Sequence, residues 1–216
     1  RQHFIGQIFC NSEGYYPEGA IEKAFSETKA NDIVYQALVK EEKARAGELK
    51  KLVMSSEVWG AVFNDIEGMG FAIASRIIAA AVDIRRFPNK EAFKAFAGVH
   101  VLPDGTFVRL RVGDVANWHP DIRQALYLMV DQMNRRPNST WGKKLLGNKA
   151  KLRKKHPEVI IDPTSKKKRY TNGHIHKMAT WRTATQFARF LFQQWRDFEK
   201  KQKRVALPEA PVAKAA

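Results

Sequence analysis

Gly68, Met69 and Gly70 form the pattern in this chain best suited to handling a phosphate. They lie within Phe63-Asn64-Asp65-Ile66-Glu67-Gly68-Met69-Gly70-Phe71-Ala72-Ile73-Ala74-Ser75-Arg76-Ile77. Phe63 and Ile66 suit the end of one helix, Gly-Met-Gly a tight turn, and Ala74 and Ile77 the start of a second helix. Glycine opens backbone angles closed to other residues and lets a ligand approach closely. The unsatisfied amides around Gly68, Met69, Gly70 and Phe71 would then face outward, able to hold a phosphate oxygen. This is the helix-hairpin-helix pattern of proteins that grip DNA without reading its sequence. The plainer reading is a helix-turn-helix corner inside a core. Arg76, Arg85 and Arg86 lie close enough to extend a phosphate contact, though each also suits a solvated surface.

A second candidate is the basic run over residues 143–169, with eleven Lys and Arg against Glu158 and Asp162. Lys143, Lys144, Lys151, Arg153, Lys154 and Lys155 are its candidate backbone contacts, joined by Arg109 and Arg111 from an earlier alternating stretch. Trp141 and Tyr170 bracket the run and suit stacking on exposed bases. A solvated charged loop, interrupted by Pro157 and Pro163, is the other reading.

Other chemistries find less support. His174 and His176 stand at i, i+2, but no nearby Cys or carboxylate completes a metal shell. They suit capping of the last helix or a phosphate contact, and no metal site is expected. Asp65, Glu67 and Asp83 flank the hairpin without obvious convergence, and Asp83 has Arg85 and Arg86 at hand for a surface ion pair. Ser75 falls within a helix and Ser139 at a helix start, where it reads as a cap.

The charge balance points the same way. Lys and Arg number 38 against 22 Asp and Glu, a net charge of +16. Such an excess favours polyanions, because phosphate contacts release counterions. Nucleic acid, DNA foremost given the hairpin, is the expected partner, with a solubilising surface or a ribosome-like structural role as the alternative. The lone Cys10 allows no disulfide within the chain, which fits a reducing cytoplasm. No apolar run approaches the roughly 18 residues of a membrane span, so no membrane partner is expected. The chain opens at Arg1 without a methionine, as a piece of a longer protein would.

The elements that must position these residues are mostly helical. Residues 14–19 read as a turn-rich loop. A charged helix is expected over about 31–53, capped by Asn31 or Asp32, either an exposed arm or an ordinary surface helix. An alanine-rich buried helix follows the hairpin, over about 77–84. Asn89 suits the cap of a short helix with Phe93 and Phe96 inward, ended by Gly98. Residues 99–119 hold a small β-like piece, with Pro103-Asp104-Gly105 as its turn and Phe107, Arg109 and Arg111 alternating after it. Pro120 opens a helix whose Ile122, Ala125, Leu126, Met129, Val130 and Met133 form a core-facing stripe. A last helix over about 174–200 lines up Met178, Trp181, Thr185, Ala188, Phe192 and Trp195. The tail from 201 to 216 reads as disordered.

Four blocks in order carry a family resemblance: Ile66-Glu67-Gly68-Met69-Gly70, then Asp83-Ile84-Arg85-Arg86-Phe87-Pro88, then Phe96-Ala97-Gly98-Val99, then Arg123-Gln124-Ala125-Leu126-Tyr127. Over about residues 60–200 the chain resembles the C-terminal domain of bacterial insertion-sequence transposases that pair a RuvC-like DEDD domain with a serine-bearing domain, the recombinases guided by a bridge RNA. The resemblance implies DNA transposition by strand exchange, a guide RNA as a further partner, and assembly into a homo-oligomer. It also implies a serine nucleophile between the Ala-Gly block and the Arg-x-Ala-Leu-Tyr block. The acidic tetrad that holds a divalent metal (Mg²⁺) belongs to an N-terminal domain outside these 216 residues, so no cofactor is expected here. The segment that should carry the serine reads His100-Val101-Leu102-Pro103-Asp104-Gly105-Thr106. Asp104 stands near the serine's place and Thr106 is the nearby hydroxyl; these two are the candidate catalytic residues, and the enzymatic status of the chain stays open.

The expected fold is therefore mainly α: a helix-hairpin-helix core with a small β-hairpin insert, long amphipathic helices and an N-terminal helical arm. The expected divisions are an arm over 1–56, a transposase-type domain over 57–200 and the tail. The expected function is DNA binding in transposition, with a non-enzymatic nucleic-acid-binding module, domesticated or decayed, as the alternative.

Overall fold

A computed structural model describes residues 27–103, 106–110, 113, 115–161, 163 and 166–206, with side chains described as far as residue 202. Cys10, the turn at 14–19, Asp104, Arg111 and residues 207–216 lie outside the described residues.

Helices dominate. They are α1 (Ile33–Met54), α2 (Phe71–Ala81), α3 (Lys90–Phe96), α4 (Pro120–Arg135), α5 (Thr140–Lys155) and α6 (Asn172–Ala206). A π-wound turn (Trp59–Phe63) precedes α2, and a 3-10 turn (Ile84–Arg86) precedes α3. Strands β1 (Ile160–Ile161) and β2 (Lys168–Arg169) pair antiparallel, Ile160 opposite Arg169. The architecture is mainly α with a small β-hairpin, as the sequence led us to expect, but the ladder lies later than expected. At the expected place a single antiparallel bridge joins Val101 and Phe107, closed by the Leu102 N–H donating to Thr106 O at 2.8 Å. The proline-broken stretch between α5 and α6 supplies the two-stranded ladder instead. None of the described helices is long and apolar enough to cross a membrane.

Contacts divide the chain into two units, Arg1–Lys51 and Leu52–Ala216. In the first, Asp32 caps α1 by accepting from the Tyr35 N–H at 2.8 Å. Arg45 bridges Glu41 and Glu48 at 2.8 and 3.2 Å on the exposed face. Ile33, Val34 and Leu38 are exposed there.

The second unit is built around α6. Helices α3, α4 and α5 and the π turn all pack on it, and α2 packs on α4. The stripe expected for α4 is buried in full. The π turn, closed by the Asn64 N–H on Trp59 O at 2.9 Å, drives Trp59, Val62 and Phe63 inward. Phe63 meets Trp195 edge-on with ring centroids 5.8 Å apart. Phe93 packs against Phe87 on one side and Phe192 on the other, at 5.2 and 6.0 Å.

Helix α5 was expected as a basic groove-tracking run or loop, and it is a regular helix. Ser139 caps it, accepting from the Gly142 N–H at 3.0 Å. Trp141, Leu145 and Leu152 form its buried side. Trp141 packs edge-on against Phe187 at 5.0 Å, so it is a core residue and not a stacking platform. A Cβ at Gly142 would fall 2.0 Å from Arg136 O, so only glycine fits where the chain turns from α4 into α5. One polar bridge crosses the apolar seam: the buried Asn148 Nδ2 donates to Thr183 Oγ1 at 2.9 Å and Gln186 Oε1 at 3.0 Å.

Helix α2 ends on a strained residue. Val82 has φ 58° and ψ −62°, with its side chain 71% exposed. The Asp83 N–H closes on Ala81 O at 2.6 Å, making a three-residue γ-turn. A β-branched residue at positive φ is costly, and little packing offsets the cost here. Val82→Gly is expected to raise stability by about 1 kcal/mol and the melting midpoint by roughly 2–4 °C. Thermal unfolding checks this; a lowered midpoint would show that the Val82 side chain contributes more than its backbone costs.

Candidate nucleic-acid interface

The hairpin turn keeps its glycines for two reasons. Gly68 sits at φ +88°, and a Cβ there would lie 3.2 Å from Gln132 Cβ on α4. Gly70 caps α2 in extended backbone with open space where a Cβ would stand. Ile66 and Met69 are buried and anchor the turn. Met69 is thus a core contact through its side chain, and its N–H is spent on Ile66 O at 2.9 Å. The amides of Gly68, Gly70, Phe71 and Ala72 have no acceptor among the described residues. Residues 57–63 form only a short, π-closed lead into the turn. Arg76 is exposed on α2. Arg85 is drawn into ion pairs, with Asp83 at 2.8 Å and Glu199 at 3.6 Å. Arg86 lies over the rings of Phe87 and Phe96 and donates to Ala81 O at 3.3 Å.

On α5, Lys143, Lys151, Lys154 and Lys155 stand exposed, and Lys144 lies 3.9 Å from the Trp141 ring centroid. Arg153 has a structural task. Its guanidinium donates to His156 O at 3.2 Å, Tyr170 O at 3.0 Å and Asn172 Oδ1 at 2.7 Å, tying α5 to the start of α6. Tyr170 sits between His156 and His174 in a parallel stack, at 3.8 and 5.6 Å, and so is already a stacking partner within the protein.

One concave feature was not legible in the sequence. It is a cleft of about 1190 Å³ between the 102–110 segment, α4, the β2 end of the ladder and the first turns of α6. Its cations are Arg109, Arg123, Lys167, Lys168, Arg169, Lys177 and Arg182, and its described lining includes no Asp or Glu. Thr106 also lines it. Thr106, Arg109, Tyr170 and His174 are thus the sequence candidates that the fold brings together; the α5 lysines and the hairpin glycines are absent from this lining.

Arg123, from the Arg-x-Ala-Leu-Tyr block, builds the cleft wall. It donates to Gly98 O and, at 2.9 Å, to Val108 O. Its guanidinium lies 4.5 Å from the Trp118 ring centroid and 4.4 Å from that of Trp181. Burial pushes its pKa down, without removing the charge of an arginine. Among the described residues no three His, Cys, Asp or Glu are placed to hold a metal ion. Ser75 donates to Ala72 O at 3.2 Å, and Ser139 is buried as a cap.

His174 faces the same cleft. Its Nδ1 accepts from the Tyr170 N–H at 3.0 Å. Burial holds its pKa below the ordinary histidine value, helped by Arg109, Arg169, His156 and Lys177. His176 is lowered too, by burial and Lys149, opposed by Asp131. Because the folded state disfavours the protonated form, the unfolded state binds more protons just below about pH 6.5. The stability from neutral His174 is therefore present above that pH and is lost as pH falls. The melting midpoint is expected to drop below about pH 6.5, less steeply in His174→Asn. An identical pH profile in that variant would remove His174 as a cause. For the turn, Gly68→Ala is expected to cost about 1–2 kcal/mol and Gly70→Ala less than about 0.5 kcal/mol. Chemical denaturation of both variants checks this, and equal losses would contradict the geometry.

Residues 60–145 match the model of the transposase IS116/IS110/IS902 family. The matched span runs from the π turn through α2, α3 and α4 into α5. It includes Thr106, Arg109 and Arg123, whereas Lys168, Lys177 and Arg182 lie beyond it. No curated protein and no solved structure matches the chain. The family match supports a role in transposition of an insertion element.

Proposed function

We propose that this chain is a DNA-binding segment of an insertion-element transposase. The observation that carries the reading is the cleft: cations from α4, α6, β2 and the 102–110 segment converge with no carboxylate among its described lining. Convergent like charges repel one another, and a polyanion relieves that repulsion while releasing its own counterions. The free amides at Gly70, Phe71 and Ala72, with exposed Arg76 nearby in sequence, offer a second phosphate contact. The exposed lysines of α5 add a non-specific basic face. A helix-hairpin-helix role for the turn, guidance by RNA and self-association are part of the same proposal, on family resemblance.

The segment binds and does not cut by itself. The hydroxyls on the cleft are those of Thr106, a crowded secondary alcohol, and Tyr170, whose ring is stacked between two imidazoles, and no serine is among the described lining. The divalent metal implied for the family would be held elsewhere, by the acidic domain. Asp104 and Thr106 remain the candidates for any residual chemistry. The alternative, a non-enzymatic nucleic-acid-binding module, draws on the same two facts.

Binding is testable by fluorescence anisotropy on labelled DNA across a salt series. The logarithm of affinity is expected to fall linearly with that of salt, with a slope of about −4 to −6 if roughly five or six phosphates are neutralised. Replacing Arg109, Lys177 and Arg182 together by Ala should weaken binding and reduce the slope by roughly two to three. Unchanged affinity and slope in that variant would sink the cleft as the DNA site. Nicking of supercoiled DNA by the chain in Mg²⁺, abolished by Thr106→Ala, would overturn the binding-only reading.

A further inference from the structure

The cleft carries two chemistries at once. Its rim is cationic: Arg109 and Arg182 are exposed, as is Lys177, and none makes an ion pair among the described residues. Its floor is apolar and aromatic. Phe107, Met178 and Trp181 are half-buried there, beside the buried Val108.

A paired duplex shows a protein its phosphates and groove edges and keeps its ring faces stacked inside. It would satisfy the rim and leave the floor in contact with water. An unpaired strand offers both a charged backbone and free ring faces, the combination that cationic grooves with aromatic platforms bind. Size agrees: about 1190 Å³ exceeds the roughly 300–1,000 Å³ of pockets that hold one small molecule, so a short run of nucleotides fits.

The lining also bears on the sugar. A protein tells RNA from DNA through the 2′-hydroxyl, which calls for neutral donors and acceptors. Thr106 and Tyr170 are the neutral hydroxyl side chains in the described lining, set among seven cations, and the Tyr170 ring is held in a stack between His156 and His174. The lining rewards phosphate far more than a ribose hydroxyl.

We propose that this cleft takes an unpaired DNA strand, its bases against Phe107 and Met178, beside Trp181 with its bound Arg123 guanidinium, and its phosphates along Arg109, Lys177 and Arg182. The inference rests on the nucleic-acid role proposed above and narrows it to strands opened from the duplex. Such strands exist wherever two duplexes exchange partners. The aromatic floor gives the segment affinity for that opened form over the paired one.

The experiment compares short labelled poly-dT, poly-rU and a DNA duplex by anisotropy, at one salt concentration, with intrinsic tryptophan fluorescence read in parallel. Poly-dT is expected to bind tighter than duplex and to quench tryptophan emission, with most of the quenching absent in Trp181→Phe. Phe107→Ala is expected to weaken poly-dT roughly ten- to a hundredfold, the size of one lost stacking contact, and to leave duplex affinity almost unchanged. Met178→Ala serves the same comparison should Phe107→Ala melt early. Equal losses for poly-dT and duplex, or no loss for either, would overturn the unpaired-strand assignment while leaving DNA binding intact. Tighter binding of poly-rU would overturn the choice of DNA. Absence of binding to all three would defeat the underlying functional reading as well.

Discussion

The cleft depends on a cation with no acid beside it. Arg123 is half-buried, and its charge is answered by two carbonyl oxygens, Gly98 O and Val108 O, and by the faces of Trp118 and Trp181. Cation–π contacts of this kind contribute about 0.5–2 kcal/mol each. Carbonyl dipoles and ring quadrupoles hold a guanidinium without neutralising it. The local field therefore stays positive, which an Asp or Glu in the same place would have cancelled. The same side chain joins the end of α3, the 97–119 segment, α4 and α6, so the position of the cleft wall and the sign of its potential have one origin.

The neighbouring elements work with that field. Burial and the cations around it hold the His174 pKa below the ordinary histidine value, and its Nδ1 lone pair fixes the Tyr170 amide. Arg153 fixes the Tyr170 carbonyl from the other side. Tyr170 is thus held at φ 59° with its ring stacked between two imidazoles. The ladder that borders the cleft is only two residues long on each strand, and such a ladder has little stability by itself. Its anchorage comes from these contacts at its C-terminal end.

Much of the helical frame was legible because local signals agree there. Pro120, the period of the α4 stripe, Asn89 and Ser139 as caps and Gly98 as a stop each follow from one backbone requirement. Helix α5 was hidden because its buried side is sparse: Trp141, Leu145, Asn148 and Leu152 are set among lysines, and the inward Asn148 breaks the apolar period. Trp141 and Tyr170 looked like free aromatic platforms because exposure is a tertiary property. The cleft itself joins residues from 102 to 182, and no short window of sequence brings its 106–110 and 167–182 sides together. Arg123 stood in the family motif, and Lys167, Lys168 and Arg169 within the basic run, yet their convergence required the fold. Lys177 and Arg182 gave no signal beyond charge.

The Asn148 bridge to Thr183 and Gln186 has a consequence for that basic surface. Apolar seams between helices tolerate sliding, because one aliphatic contact resembles the next. An amide that must find two specific oxygens does not, since a step of one residue turns a helix by about 100° and would strand the amide among carbon atoms. The lysines of α5 are thereby held at a constant angle around their axis, and the helix presents its charge outward like a keyed shaft whose teeth cannot slip.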